Sequence, residues 1–250
     1  MLISKNQIKQ VRSLGMKKYR EESRLFIAEG RKCTGDLLPH LHCKMLIVQE
    51  GESIPATWNT TGTEILEANE TAIKQMSQLC HPQGIIGVFE QPQHSLPDPQ
   101  DDLLLALDGV QDPGNLGTII RTADWFGIRD IICSKDTAEV YNPKTVQATM
   151  GALARVSVHY TDLPAFLQSY RHPIYGTLLD GKDINRTNLS AQGIIVMGNE
   201  GNGISEAIRK MITHPILIPS YPAGYPTSES LNVSIATGIV LAKFREQQNC

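Results

Sequence analysis

The residues able to do chemistry cluster at three places where an apolar run breaks into a glycine-rich turn and a helical pattern follows. The first is Leu107-Asp-Gly-Val-Gln-Asp-Pro-Gly-Asn-Leu-Gly-Thr-Ile-Ile-Arg-Thr-Ala123, which offers Asn115 and Arg121. Asn115 suits a helix N-cap, and Gly114 and Gly117 let a ligand or another backbone come close. Arg121 lies about 240° further round a helix of 3.6 residues per turn. The two can converge only if Asn115 sits in the turn at the helix mouth and Arg121 reaches back along the axis. A capped helix carrying a surface arginine accounts for the same residues.

The second place is Ile194-Ile-Val-Met-Gly-Asn-Glu-Gly-Asn-Gly-Ile-Ser205, where Gly198, Gly201 and Gly203 surround Glu200. It lacks both the dinucleotide fingerprint GxGxxG and the Lys-Ser/Thr of a P-loop. Glu200 repels phosphates, so the loop fits a ligand without them; a plain connection into a helix at Ser205 is the other reading. The third place runs from Ile216 to Ala236 and offers Ser230 and Asn232. Ser230 serves as the cap of the last helix, whereas Asn232 falls in its first turn, where helix propensity disfavours it. Ligands of open parallel sheets bind beyond the carboxyl ends of strands, and all three places are such ends.

The elements that must position these residues fall in two groups. A helix starts at Ser4, with Ile8, Val11 and Leu14 on one stripe. A strand over 24–28, a helix over Glu29–Leu38, a strand over 45–48, a helix over Glu70–Leu79 and a strand over 84–89 complete a small α/β domain, residues 1–92. Residues 93–101 lie in a proline-rich linker, with three prolines between positions 92 and 99. The pattern then restarts for residues 102–250. Strands are expected at 103–107, 131–133, 156–159, 174–178, 194–197 and 216–218. Helices are expected at Asn115–Phe126, Pro143–Leu153, Pro164–Tyr170, Ser205–Ile212 and Leu231–Gln247. The uninterrupted apolar run Leu103-Leu-Leu-Ala-Leu is that of a strand buried on both faces, so the sheet is expected to be mostly parallel with helices on both sides.

Composition excludes several classes. The chain is 41% hydrophobic and 20% charged, enough to bury a core. No window approaches the roughly 20 apolar residues of a membrane span, and the basic N-terminus has no apolar stretch typical of a secretory signal. The cysteines are five, scattered, and without a CxxC pair. That argues against a disulfide framework or a zinc site and for reduced thiols in the cytoplasm. The net charge of −3 does not announce a nucleic-acid binder. Residues 1–32, however, hold nine Lys/Arg against three Glu, a local balance of +6. Lys17-Lys18-Tyr19-Arg20 places an aromatic among cations, a pattern that suits RNA, and a solvated helix face is the plainer alternative.

DPGNLGTIIRTADWFG (112–127), IVMGNEGNGIS (195–205) and SLNVSIATGIVL (230–241) together resemble the three signature motifs of RNA ribose 2'-O-methyltransferases of the SPOUT superfamily, the SpoU/TrmH family. KKYR (17–20) and LFIAEGRK (25–32) resemble the substrate-binding domain that precedes many such catalytic domains. The resemblance implies an α/β methyltransferase domain with a trefoil knot, S-adenosylmethionine as cofactor, no metal, and a homodimer. It implies that Asn115, Arg121, Glu200, Ser230 and Asn232 form the catalytic set. Backbone groups at Gly198, Ile218 and Leu231, with Thr177 and Leu178, would hold the cofactor, and Lys17, Lys18 and Arg20 would bind RNA. Ribosomal RNA is placed ahead of transfer RNA as substrate, with a non-catalytic RNA-binding protein of the same fold as the competing class. One departure stands out: the stretch Ser220–Glu229, containing Tyr221, Pro222, Tyr225 and Pro226, is longer than this motif normally has.

Overall fold

The computed structural model describes residues 1–97, 103–222, 225 and 228–248; linker residues 98–101 and Pro226 of the long loop lie outside them. By density of contacts the chain forms two compact units, Met1–Gln93 with Glu139–Arg155, and His94–Ala138 with Val156–Cys250.

In the first unit, helix α1 (Lys5–Ser13) begins where expected because Ser4 and Gln7 cap it reciprocally. The Ser4 hydroxyl accepts from the Gln7 N–H at 3.3 Å, and Gln7 Oε1 accepts from the Ser4 N–H at 2.9 Å. A helix not foreseen in the sequence, α2 (Lys17–Ser23), follows and ends at Arg24 in the left-handed conformation. Then come β1 (Leu25–Glu29), α3 (Arg31–Leu37), β2 (Cys43–Gln49), β3 (Glu64–Ala68), α4 (Glu70–Met76) and β4 (Ile85–Glu90). The sheet order is β1-β4-β2-β3, with β4 antiparallel to both neighbours and β2 parallel to β3. Val11 and Leu14 close over Ile27, Ile47, Leu66 and Ile73 on one face of it. Each of these side chains contributes about 1.5–3 kcal/mol by leaving water. Helix α4 ends at Met76 rather than Leu79 because Ser77 turns extended, and its hydroxyl with the Gln78 N–H bonds the buried Glu29 carboxylate. Burial outweighs those bonds and raises the Glu29 pKa.

Arg20 departs from the role expected of it. Its side chain is buried, with Nε and Nη2 donating to the two oxygens of Glu139 at 2.8 and 2.5 Å and Nη1 to the Leu14 carbonyl at 2.7 Å. Three of its five N–H groups are committed inside the unit, and a side chain so buried does not reach a phosphate in solvent. Lys17 and Lys18 are exposed but sit opposite Glu21 and Glu22, one turn on, at 3.6 and 3.8 Å.

In the second unit, β5 (Leu103–Asp108), α5 (Pro113–Trp125) and β6 (Asp130–Ser134) are followed by the stretch that belongs to the first unit. That stretch contains α6 (Pro143–Thr149) and a 3-10 turn at Ala152–Ala154. The single helix expected over 143–153 breaks because Met150 and Gly151 both have positive φ, 51° and 89°. The second unit resumes with β7 (Ser157–Thr161), α7 (Leu163–Ser169), β8 (Ile174–Asp183), β9 (Gly193–Gly198), α8 (Glu206–Arg209), β10 (His214–Leu217) and α9 (Val233–Gln248). Its sheet runs β10-β8-β9-β5-β6-β7, every pair parallel. Successive strands proceed from β5 outward through β6 to β7, then the chain returns to the far side of β5. The boundary between β5 and β9 is therefore a topological switch point, where sheets of this kind open a crevice.

Candidate active site

The first of the three junctions follows β5. Asp112 is the N-cap of α5: its Oδ1 accepts from the Asn115 N–H at 2.8 Å, and Pro113 occupies the first helical position. Asn115 is thus inside the first turn of the helix, not in the turn before it as expected. With its backbone satisfied, its side chain is free to bond outward. Nδ2 donates to Glu200 Oε1 at 2.9 Å, and Oδ1 accepts from Asn232 Nδ2 at 3.0 Å. The amide orientation is fixed by chemistry, since an ionised Glu200 can only accept.

Asn232 receives a structural explanation. Helix α9 starts one residue later, at Val233, and Asn232 caps it: Oδ1 accepts from Ser234 N–H at 3.0 Å, Ser234 Oγ at 2.6 Å and Ile235 N–H at 3.4 Å. An amide at a cap is favoured, so the propensity argument that singled it out dissolves. Its other end still matters. The hydrogen bonds run one way, from the first-turn N–H groups of α9 through Asn232 and Asn115 to the Glu200 carboxylate. Two weaker contacts, from Gln111 N–H at 3.4 Å and Asp112 N–H at 3.5 Å, complete that carboxylate's surroundings.

Asn199, which the sequence reading passed over, shapes the loop that carries Glu200. Its backbone exchanges two 2.9 Å bonds with Gly203, and its Oδ1 accepts from the Gly201 and Asn202 N–H groups. Its Nδ2 donates to the Gly109 carbonyl at 2.7 Å, tying β9's end to β5's, and Asp108 accepts from Ser205 N–H at 2.7 Å. Only glycine fits at 198, since a Cβ there would lie 2.3 Å from the Gly203 carbonyl carbon. An Asx turn in Gly-Asn-Glu-Gly and the cap signature Asp-Pro were the signals available for Asn199 and Asp112.

A pocket of about 350 Å³ opens beyond these strand ends, within the size range of small-molecule sites. Thr177, Leu178, Gly198, Ile218 and Leu231 all line it, with Glu200 and Ser230. One wall exists because β8 breaks step with β10: Pro215 pairs with Gly176 but Ile216 with Lys182, so residues 177–181 leave that ladder and Thr177, Leu178 and Leu179 line the cavity. The lining carries two carboxylates, Glu200 and Glu229, and no Lys or Arg. That donor set suits a cationic ligand without phosphate. Arg121 lies outside the lining, exposed on α5, roughly 9 Å along the helix axis from Asn115. The structure therefore joins Asn115, Glu200 and Asn232 by hydrogen bonds and does not bring Arg121 to them.

Other reactive groups are silenced by burial, which pushes the Cys33 and Cys43 thiols up to about 11 and the Tyr141 and Tyr170 hydroxyls to about 12. Among the described residues no cluster of three or more His, Cys, Asp or Glu is arranged to hold a metal ion.

Comparison with known proteins agrees with this geometry. A family model described as the SpoU rRNA Methylase family matches residues 102–242, and one described as an MRM3-like substrate binding domain matches residues 5–87. The 23S rRNA (guanosine(2553)-2'-O)-methyltransferase RlmP of Bacillus subtilis is 30% identical over 249 residues, 97% of each chain. A putative RNA methyltransferase of the TrmH family from Porphyromonas gingivalis superposes with a TM-score of 0.86 at 39% identity, covering 99% of this chain and 100% of that one. An AdoMet-bound rRNA methyltransferase from Sinorhizobium meliloti gives 0.85 at 31% identity, over 98% and 97% of the two chains.

Proposed function

The chain belongs to the SpoU rRNA methylase family, and on that premise we propose that it transfers a methyl group from S-adenosylmethionine to a ribose 2'-hydroxyl of ribosomal RNA. The observation that carries the reading is the pocket beyond the carboxyl ends of β8, β9 and β10, lined by the glycine loop 198–203 and two carboxylates and sharing Glu200 with the Asn232–Asn115–Glu200 chain. The cofactor, when bound, supplies an electrophilic methyl on a positively charged sulfur. Thr177, Leu178, Gly198, Ile218 and Leu231 hold it, and Glu200 and Glu229 offset its positive charge. Asn115, held by Glu200 on one side and Asn232 on the other, presents a rigid polar edge for aligning the ribose, and Ser230 adds a hydroxyl to the pocket lining. Preorganised donors of this kind cost no rearrangement as the reaction proceeds. Arg121 stands exposed outside this lining, so its assignment to the ribose and the adjacent phosphate rests on the motif resemblance; there it would stabilise the developing alkoxide rather than act as a base, because a guanidinium resists deprotonation.

Ribosomal RNA is placed ahead of transfer RNA because the full-length similarity to an rRNA enzyme includes the N-terminal domain. Residues 1–92 are assigned to RNA binding, 93–101 to the link and 102–250 to catalysis. A homodimer is supported by apolar side chains left exposed on the packed pair α5 and α9, Trp125 at 85% and Ile235 at 56%. A trefoil threading of the C-terminal segment rests on membership of the family. A cytoplasmic location fits the free thiols of Cys33, Cys43, Cys80 and Cys133, and no helix among the described residues is long and apolar enough to cross a membrane.

The test is methyl transfer from labelled cofactor to ribosomal and transfer RNA of a strain lacking the gene, with mapping of the modified nucleotide. Label in transfer RNA alone overturns the substrate. No calorimetric heat with S-adenosylmethionine overturns the enzyme reading in favour of a binding protein. Near wild-type turnover with an unchanged pH profile in Arg121→Lys removes Arg121 from the site.

A further inference from the structure

Eight of the nine cations in residues 1–32 resolve into two unlike groups; the ninth, Arg24, stands exposed at the C-cap of α2. Lys17, Lys18, Arg20, Arg31 and Lys32 each face a carboxylate: Glu21, Glu22, Glu139, Glu52 and Asp36 respectively. Lys5, Lys9 and Arg12 are exposed and form no ion pair among the described residues. All three stand on α1, whose nine residues include no acid. At 3.6 residues per turn they fall within about 60° of arc, in one stripe roughly 10 Å long.

The stripe also faces away from Glu64, the acid that α1 itself contacts. Gln7, on the opposite flank of α1, donates to Glu64 Oε1 of β3 at 3.1 Å, about 170° round the helix from the stripe's centre. Val11 and Leu14 anchor the helix in the core between these flanks. A rigid row of three uncompensated cations is therefore presented to solvent by a capped and buried helix, on a chain whose net charge is −3.

We propose that the α1 stripe Lys5–Lys9–Arg12, rather than α2, is the surface on which the first unit takes the RNA sugar–phosphate backbone. This rests on the proposed RNA substrate and deepens it. Three cations in a row of roughly 10 Å can neutralise at most about three phosphates of an RNA strand. A lysine that already faces a carboxylate, such as Lys17 or Lys18, neutralises a phosphate less well because that carboxylate repels it; the α1 row forms no such pair among the described residues. The stripe reads no sequence, so its work is to hold and orient the RNA.

The experiment is fluorescence titration of deproteinised bacterial ribosomal RNA at several salt concentrations. It compares the wild-type chain, the triple variant Lys5→Gln/Lys9→Gln/Arg12→Gln, and the double variant Lys17→Gln/Lys18→Gln. Glutamine keeps helix propensity close to that of lysine and arginine. The triple variant is expected to bind roughly tenfold or more weakly at low salt and to lower the salt slope by about 3. Its melting temperature and S-adenosylmethionine affinity should be unchanged, and the double variant should stay near wild type. Should the triple variant melt early, Lys9→Gln alone is expected to lower the slope by about 1. An unchanged slope in the triple variant, or an equal loss in the double variant, overturns the proposal while leaving the methyltransferase reading intact. Loss of polyglutamate binding without loss of RNA binding overturns it in favour of an acidic protein partner. Failure of the wild-type chain to bind ribosomal RNA overturns both.

Discussion

Asn115→Asp isolates the hydrogen-bond chain at the site by changing one atom. The Asn115 Nδ2 that donates to Glu200 Oε1 at 2.9 Å becomes a carboxylate oxygen, while the oxygen that accepts from Asn232 at 3.0 Å is retained. Two half-buried carboxylates then meet edge to edge. With charge centres about 4 Å apart, the repulsion lies between about 1 kcal/mol in water and about 4 kcal/mol at an effective dielectric of 20. In a protein of this size each kcal/mol lowers the melting temperature by roughly 2–4 °C. The pair can escape by sharing a proton, which raises its folded-state pKa above the unfolded value of about 4. A raised folded-state pKa is a contribution present at low pH and lost as pH rises through it. The deficit relative to wild type should therefore be small near the unfolded value and grow toward neutral pH. Adding Glu200→Gln reverses the polarity, since the Gln amide can donate to Asp, and should recover most of the loss. Thermal denaturation of the cofactor-free single and double variants across pH decides it. A deficit that is the same at every pH, or a double variant no more stable than Asn115→Asp, refutes the account of this contact.

Arg20→Met should destabilise the first unit by about 3–5 kcal/mol in urea titration, because Glu139 keeps its charge and loses its bidentate partner; RNA affinity of the folded fraction should not change. Glu29→Gln should stabilise the first unit at neutral pH. Burial raises the pKa of Glu29, so its ionisation weakens the fold as pH rises above the unfolded value. The variant's urea midpoint should be flatter with pH than wild type's, and a lower midpoint at neutral pH would count against the burial argument. Asn232→Ala should cost about 0.5–2 kcal/mol through loss of the α9 cap. Asn232→Asp should restore that stability and not turnover, because a carboxylate caps the helix but cannot donate to Asn115; equal turnover in Asp and wild type would separate Asn232 from catalysis.

The sequence was most legible where local chemistry and burial agreed. The capping box of Ser4 and Gln7 and the two-face-buried run Leu103–Leu107 are both where periodicity and side-chain type place them. Helix α2 was missed because KKYREES has no apolar stripe; it is held by the single buried side chain of Arg20. Strand β3 was missed because it lies at a sheet edge, with two of its five residues buried. Asn115 and Asn232 were named as site residues through the motif resemblance, and the structure joins them by a hydrogen bond, yet each was set at the wrong place on its helix. Caps are decided by backbone geometry, and Asp112-Pro113 and Asn232-Val233 compete with neighbours of similar propensity.

What the sequence determined by itself was the class of most elements, the parallel sheet of the second unit and the family. These depend on residue types at short range, as in the uninterrupted apolar run Leu103–Leu107. What only the tertiary structure decided was which polar groups are already spent. Arg20 is consumed by Glu139, 119 residues away, while Asn115 gains Glu200 and Asn232 from 85 and 117 residues away. The free energy of a charge or an amide is set by what lies within a few ångströms of it, and for these groups folding alone supplies those neighbours.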